Sequence, residues 1–217
     1  MQRIAETFAD NGEGVRGDLG AVVKAILLDT EASTSTLAAE DVSRGKLREP
    51  AIRMMHAARI LGLGQHEGLL WWDWGTFGDV SFQEPMASPS VFNFYRPDYA
   101  GLGDLRNNSL SGPVFQITNS YTTVSFPNEL WDTIDNGFEN WIYYSFAPDF
   151  KEYLSIATDA ELLVDYVNLL CCAGQMSATT RSTILQTVNT LSESDLGGRV
   201  KVAIYLGLMC PEGAVQK

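Results

Sequence analysis

Residues 158–174 read Thr158-Asp159-Ala160-Glu161-Leu162-Leu163-Val164-Asp165-Tyr166-Val167-Asn168-Leu169-Leu170-Cys171-Cys172-Ala173-Gly174, and this stretch decides the fold class. Its first four residues have the form of a capping box, in which a hydroxyl and a carboxylate three positions later satisfy free N–H groups at a helix start. Leu162, Leu163, Tyr166, Val167, Leu169 and Leu170 follow as an apolar band too wide for a single neighbour. Such a helix is buried on several sides, and Gly174 offers its C-terminal stop.

Outward from this centre the pattern repeats. Ser177 starts a helical segment, Ala178 to Leu191, and Asp195 starts a last helix carrying Val200, Ala203, Ile204 and Leu208 and ended by Pro211. Three helices joined by short loops pack against one another. Glu49 and Pro50 open an earlier helix with Ala51, Met54, Met55, Ala58 and Leu61 on one side, Glu49 standing four residues ahead of Arg53 for an ion pair and Gly62 and Gly64 closing it. Asp18 caps a segment in which Leu19, Val22, Val23, Ile26 and Leu27 share one apolar face. The expected fold is mainly α, a multi-helical single domain over residues 1–217 with an irregular aromatic-rich middle and little or no β-sheet.

With 217 residues, 45% of them hydrophobic, the chain is long enough to bury a core without metals or bridges. No apolar run reaches the length of a membrane span and no signal peptide opens the chain. The net charge of −12 is uneven: residues 71–153 hold 3 basic and 11 acidic side chains, together with 20 of the 23 aromatic residues and all five Trp. So acidic a surface argues against nucleic acid as a partner, because affinity for phosphate rests on Lys and Arg.

The middle has no sustained period. Thr118 to Phe126 is β-branched and aromatic but reads as helix or irregular chain, and Pro127, Glu129, Leu130, Trp131 and Ile134 suggest a short helix ending at Asn136-Gly137. In Val91 to Tyr99, Phe92 and Phe94 alternate with Asn93 and Tyr95 before Arg96-Pro97, as in an extended segment inserted into a helical core or, alternatively, the wall of a ligand site. Arg96, scarce as a cation here, is expected to pair with Asp98 or a nearby carboxylate.

Four of these blocks together resemble a bacterial family: Asn11-Gly12-Glu13-Gly14-Val15-Arg16-Gly17-Asp18-Leu19 running into Ala25-Ile26-Leu27-Leu28-Asp29; Gly45-Lys46-Leu47-Arg48-Glu49-Pro50; Ser88-Pro89-Ser90-Val91-Phe92-Asn93-Phe94-Tyr95-Arg96-Pro97-Asp98-Tyr99; and an ending with Ser177-Ala178-Thr179-Thr180-Arg181 and Tyr205 to Glu212. The chain is similar, over nearly its whole length, to domain-of-unknown-function family 1800. The resemblance implies a parent about twice as long, with an export signal and hence an extracytoplasmic location, of which this chain is the C-terminal half. It also implies a neighbouring partner from another uncharacterised family, numbered 1501. The family's acidic Asp-Glu-Asn and Ala-Arg-Glu block has no counterpart here. Gly213 and Ala214 stand where bulkier residues are expected.

The chemistry is sparse. Gly12 to Gly17 satisfies G-x-G-x-x-G, yet no strand precedes it, so an interhelical loop with Asp18 as cap is favoured over a nucleotide site. His56 and His66 are the only histidines; His56, on a side with Ile52 and Ile60, reads as structural. Cys171, Cys172 and Cys210 read as buried thiols, with a bridge from Cys210 to one of the pair left open. No metal ligand set and no cofactor are expected. Asp132, Asp135, Asn136 and Glu139 form a solvated turn rather than a calcium loop.

Two functions remain. One is a helical scaffold or interaction module binding its missing N-terminal half or a partner protein; the other is a glycan-binding or glycan-hydrolysing module using the aromatic and acidic middle, which requires two facing carboxylates in a Trp-lined cleft. The candidate binding residues are Trp71, Trp72, Trp74, Phe92, Phe94, Tyr95 and Arg96. Three Trp within four residues, beside Gly75 and Gly78, cannot all face inward from one loop, which points to a contact surface.

Overall fold

The computed structural model describes residues 2–29, 45–63, 74–140 and 144–216, with backbone alone for 74–77, 138–140 and 144–146. The chain divides into two compact units, residues 1–45 and 46–216. The fold is mainly α, with only two-stranded β ladders among the described residues. Among the described residues no helix is long and apolar enough to cross a membrane.

The first unit is a helical hairpin. Helix α1 (Gln2–Ala9) and helix α2 (Leu19–Leu27) flank a turn in which Gly12, Gly14 and Gly17 take positive φ. Asp18 is the N-cap expected, accepting from the Ala21 N–H at 3.0 Å. Arg3 holds Asp29 through two hydrogen bonds, fastening the start of the hairpin to its end. Neither helix buries a single residue.

The second unit is built on three helices, α8 (Ala160–Cys172), α9 (Ala178–Val188) and α10 (Leu196–Met209), packed against one another as their short loops require. Leu163, Val164, Val167, Ile184, Val188, Val200 and Ile204 fill the space between them. Helix α3 (Pro50–Ile60) adds Met54 and Ala58, and α6 (Thr122–Asn136) adds Phe126, Leu130 and Ile134. The short helix α7 (Lys151–Ile156) brings Tyr153 into the same core. Between α3 and α6 lie α4 (Trp74–Ser81), α5 (Asp104–Asn107) and a 3-10 turn, Pro113–Gln116. After α10 comes α11 (Pro211–Ala214). Strand β1 (Lys46–Leu47) pairs antiparallel with β4 (Val215–Gln216), and β2 (Phe138–Asn140) with β3 (Tyr144–Phe146).

Several local expectations are corrected. The cap of α8 is Asp159 rather than Thr158: its carboxylate accepts from the N–H groups of Glu161 and Leu162, a stronger acceptor than a hydroxyl at a helix N-terminus. Helix α6 begins five residues before Pro127, which stands inside it. Asn119 makes the earlier start, its side-chain oxygen accepting from Tyr121 and Thr122. Glu49 forms no side-chain pair with Arg53, because its carboxylate is taken by partners distant in sequence. Finally, Val91 to Tyr99 is not extended: Asn93 sits at φ 69° within a tight turn closed by a Ser90–Asn93 bridge.

Three arginines of unit 2 reach main-chain carbonyls at or just past helix C-termini, where the last carbonyls lack intrahelical partners and the dipole favours cations. Arg48 donates to Gly213 O in α11. Arg53 donates to Leu208 O near the end of α10 and lies 4.4 Å from the Phe126 ring centroid; burial first, then the charge of Arg48, pull its pKa down to about 10. Arg199, buried, donates to Ala157 O and Thr158 O just past α7. None of these roles is visible in the local sequence.

Candidate functional site

The loop Gly12 to Gly17 carries the glycine spacing of a phosphate-binding turn, but its N–H groups are occupied. Asp10 Oδ1 accepts from the Gly12 and Gly14 N–H groups at 2.8 and 2.9 Å, and Asn11 Oδ1 from those of Glu13 and Val15. A pyrophosphate needs those N–H groups free and no carboxylate beside them. The loop connects two helices, as read from its context, and Asn11 donates onward to the capping Asp18.

A more elaborate arrangement gathers two of the quoted blocks. Glu49, just ahead of α3, accepts from Gln83 Nε2 at 2.6 Å, Asn93 Nδ2 at 3.1 Å and the Tyr95 hydroxyl at 2.8 Å, with Lys46 Nζ at 3.8 Å. Gln83, only 4% exposed, turns its oxygen to the Ala51 N–H and so caps α3 in place of the Glu49 side chain. Burial alone would raise the Glu49 pKa, but the three hydrogen bonds and Lys46 hold it below the usual carboxylate range. Burial, then the bond to Glu49, push the Tyr95 hydroxyl up to about 12. The carboxylate is therefore ionised and saturated, a clasp between Gly45–Pro50 and Ser88–Tyr99 rather than a general base.

A parallel clasp closes the end of the chain. Glu212 accepts from the Ser177 N–H and the Thr180 hydroxyl at the start of α9. Burial again opposes ionisation, and the bonds from Ser177 and Thr180 bring its pKa below the usual value.

A cavity among the described residues of unit 2 has a volume of about 450 Å³ and is lined by His56, Arg59, Asp149, Glu152, Tyr153 and Tyr166, among others. Its groups are largely engaged. Tyr166 donates to Glu152 at 2.7 Å, and Tyr153 to Ile60 O. Arg48 can only donate, so His56 Nδ1, 3.1 Å from Arg48 Nη1, is the bare nitrogen. The proton then sits on Nε2, which donates to Leu170 O at 3.0 Å. With both ring nitrogens used, His56 is structural, as its place beside Ile52 and Ile60 suggested.

A sequence model of the family described as "Protein of unknown function (DUF1800)" matches residues 1–214. The chain belongs to the DUF1800 family. No curated protein and no solved structure matches it.

Within this DUF1800 chain the singled-out aromatic residues part company. Phe92 is 58% exposed, Phe94 and Tyr95 are half-buried, and Arg96 is exposed, its guanidinium donating twice to Asp98 as expected. The Tyr95 hydroxyl donates to Glu49. Trp71, Trp72, Trp141 and His66 lie outside the described residues, as does the side chain of Trp74. Trp131 packs edge-on against Tyr205 at 5.3 Å. Asp132 and Asp135, expected in a turn, stand instead in the exposed end of α6, where Asp132 accepts from Asn136 and Asp135 from Lys201. Sequence reasoning missed Gln83, Glu212 and the three capping arginines, whose partners are too remote in the chain to leave a periodic signal.

His56 makes a pH prediction. Burial first, with the charges of Arg48 and Arg59, holds its pKa below 6.5 despite the bond to Leu170. The unfolded chain then binds the proton more readily, so stability falls as pH drops below about 6.5. In chemical denaturation at pH 7.5 and 5.5, His56→Gln is expected to show a smaller acid loss than the parent sequence; an unchanged loss contradicts the assignment.

Proposed function

We propose that the chain is the C-terminal half of an extracytoplasmic DUF1800 protein and serves as a helical scaffold whose N-terminal hairpin docks the N-terminal half. The supporting observation is the face of α2. Leu19 and Leu27 are each 67% exposed and Ile26 45%, with Val23 and Leu28 also exposed, so much of the apolar stripe that makes α2 a helix lies open among the described residues. A contiguous patch of this kind is costly in water and commonly marks an interaction surface. The Trp71, Trp72 and Trp74 segment belongs to the same proposal as a second contact, and a neighbouring family-1501 protein is the further partner.

The glycan reading calls for a cleft walled by Trp. The described cavity beside His56 has tyrosine walls, and its Glu152 is already held by Tyr166. No specific observation favours it.

The test is to produce the N-terminal half separately and titrate it with this chain, comparing parent sequence, Leu19→Glu and Leu27→Glu. Each exposed leucine should contribute on the order of 1–2 kcal/mol once buried in a contact, so each substitution is expected to weaken binding roughly tenfold or more while leaving the fragment's own unfolding midpoint unchanged. Undiminished binding by both variants overturns the reading.

A further inference from the structure

The carboxyl end of unit 2 holds two thiols in contact. Cys172, in the last turn of α8, and Cys210, the residue between α10 and α11, place their sulfurs 3.6 Å apart, both buried. Both also approach the Gly207 carbonyl, Cys210 at 3.1 Å and Cys172 at 3.6 Å. Gly207 has to be glycine there, since a Cβ would meet Val167 Cγ1 at 2.5 Å and Cys171 Sγ at 3.3 Å. The backbone thus brings α10 close enough to α8 for the two sulfurs to meet. Closing the remaining gap of about 1.5 Å to a disulfide asks only for small side-chain rotations.

We propose that Cys172 and Cys210 form a thiol–disulfide site that is oxidised by small disulfides and that, when oxidised, locks α11 and β4 onto α8. The hydrogen bond from Cys172, then the Gly213 N–H at 3.4 Å, favour the thiolate on Cys210, while the same bond and burial disfavour it on Cys172. Cys210 is accordingly the attacking sulfur. With oxidised glutathione, the Cys210 thiolate attacks one sulfur of the disulfide and expels a glutathione thiolate, leaving a mixed disulfide. Cys172 loses its proton, attacks the Cys210 sulfur and expels the second glutathione. Two protein thiols are oxidised and one glutathione disulfide becomes two glutathione molecules. Cys171, buried with its thiol raised by burial first, stays reduced. The bridge spans 38 residues, a separation for which cross-linking lowers the unfolding equilibrium constant by about two to three orders of magnitude.

The experiment is to incubate the chain with oxidised glutathione, quench with acid, denature, label with N-ethylmaleimide and map the peptides by tandem mass spectrometry. The reduced chain should take three labels and the oxidised chain one, on Cys171, with Cys172 linked to Cys210 and a raised thermal midpoint that dithiothreitol reverses. Cys171→Ala should still lose two labels on oxidation, and Cys210→Ala should lose none by internal bridging. Fragmentation between residues 171 and 172 decides the pairing in the unsubstituted chain, whatever the stability of the variants. Three labels after oxidation, a Cys171–Cys210 link or a Cys171–Cys172 link overturns the proposal.

Discussion

Replacing Glu49 by Leu is expected to cost about 2 kcal/mol of unfolding free energy, because a half-buried network loses its acceptor while its donors stay behind. Gln83, Asn93 and Tyr95 would each keep a polar group aimed at the vacated carboxylate. Gln83 suffers most: it is buried and also holds the Ala51 N–H, so loss of its anchor loosens the cap of α3. Urea unfolding measures the loss, and a double-substitution cycle with Tyr95→Phe should return a coupling of roughly 1–2 kcal/mol. The pH dependence has a fixed sign. Glu49 has its pKa held below the usual 4.5, so the stability it contributes is complete above about pH 4.5 and disappears as pH falls through the lower folded value. Additive effects of Glu49→Leu and Tyr95→Phe would mean that the two quoted blocks are not joined here.

The second large effect belongs to Gly213. A Cβ at this position would run into the backbone oxygen of Gly207, and backbone cannot rotate aside as a side chain does. Gly213→Ala is expected to cost about 3 kcal/mol, at the upper end for overpacking, because α11 must lift from α10. Gly197→Ala, where nothing lies within 4 Å of the added Cβ, is the control and should be neutral or slightly stabilising, as alanine favours helix. Thermal unfolding of the two variants checks the difference. The residue expected to be bulkier is small because two backbone segments meet there, and the space for a side chain is already filled by a carbonyl.

These two sites show how far the sequence could be read. The helices α2, α3, α8, α9 and α10 announce themselves through signals confined to a few neighbours: a carboxylate or hydroxyl before the first turn, Pro50 at the first helical position, apolar residues at 3.6-residue spacing. Their mutual packing followed from short loops. Glu49 could not be read in this way, since its partners lie 34, 44 and 46 residues away. Its local neighbour Arg53 offered a plausible ion pair that the structure does not make. The aromatic block misled for a related reason. Alternation of Phe92 and Phe94 with polar residues suggests an extended strand with the rings inward, but Asn93 takes a left-handed conformation, which asparagine tolerates better than most residues. That one dihedral breaks the alternation, leaving Phe92 exposed while Asn93 and Tyr95 face Glu49.

The apolar stripe of α2 was legible from the start; that much of it lies open among the described residues was not, because periodicity reports a face and never its partner. The most direct measurement is therefore backbone hydrogen–deuterium exchange over residues 19–28, compared between this chain alone and the full-length parent. Docking of the N-terminal half predicts exchange at least tenfold slower across α2 in the parent, with rates in the buried helices α8 and α10 unchanged. Equal exchange across residues 19–28 in both proteins would contradict the account.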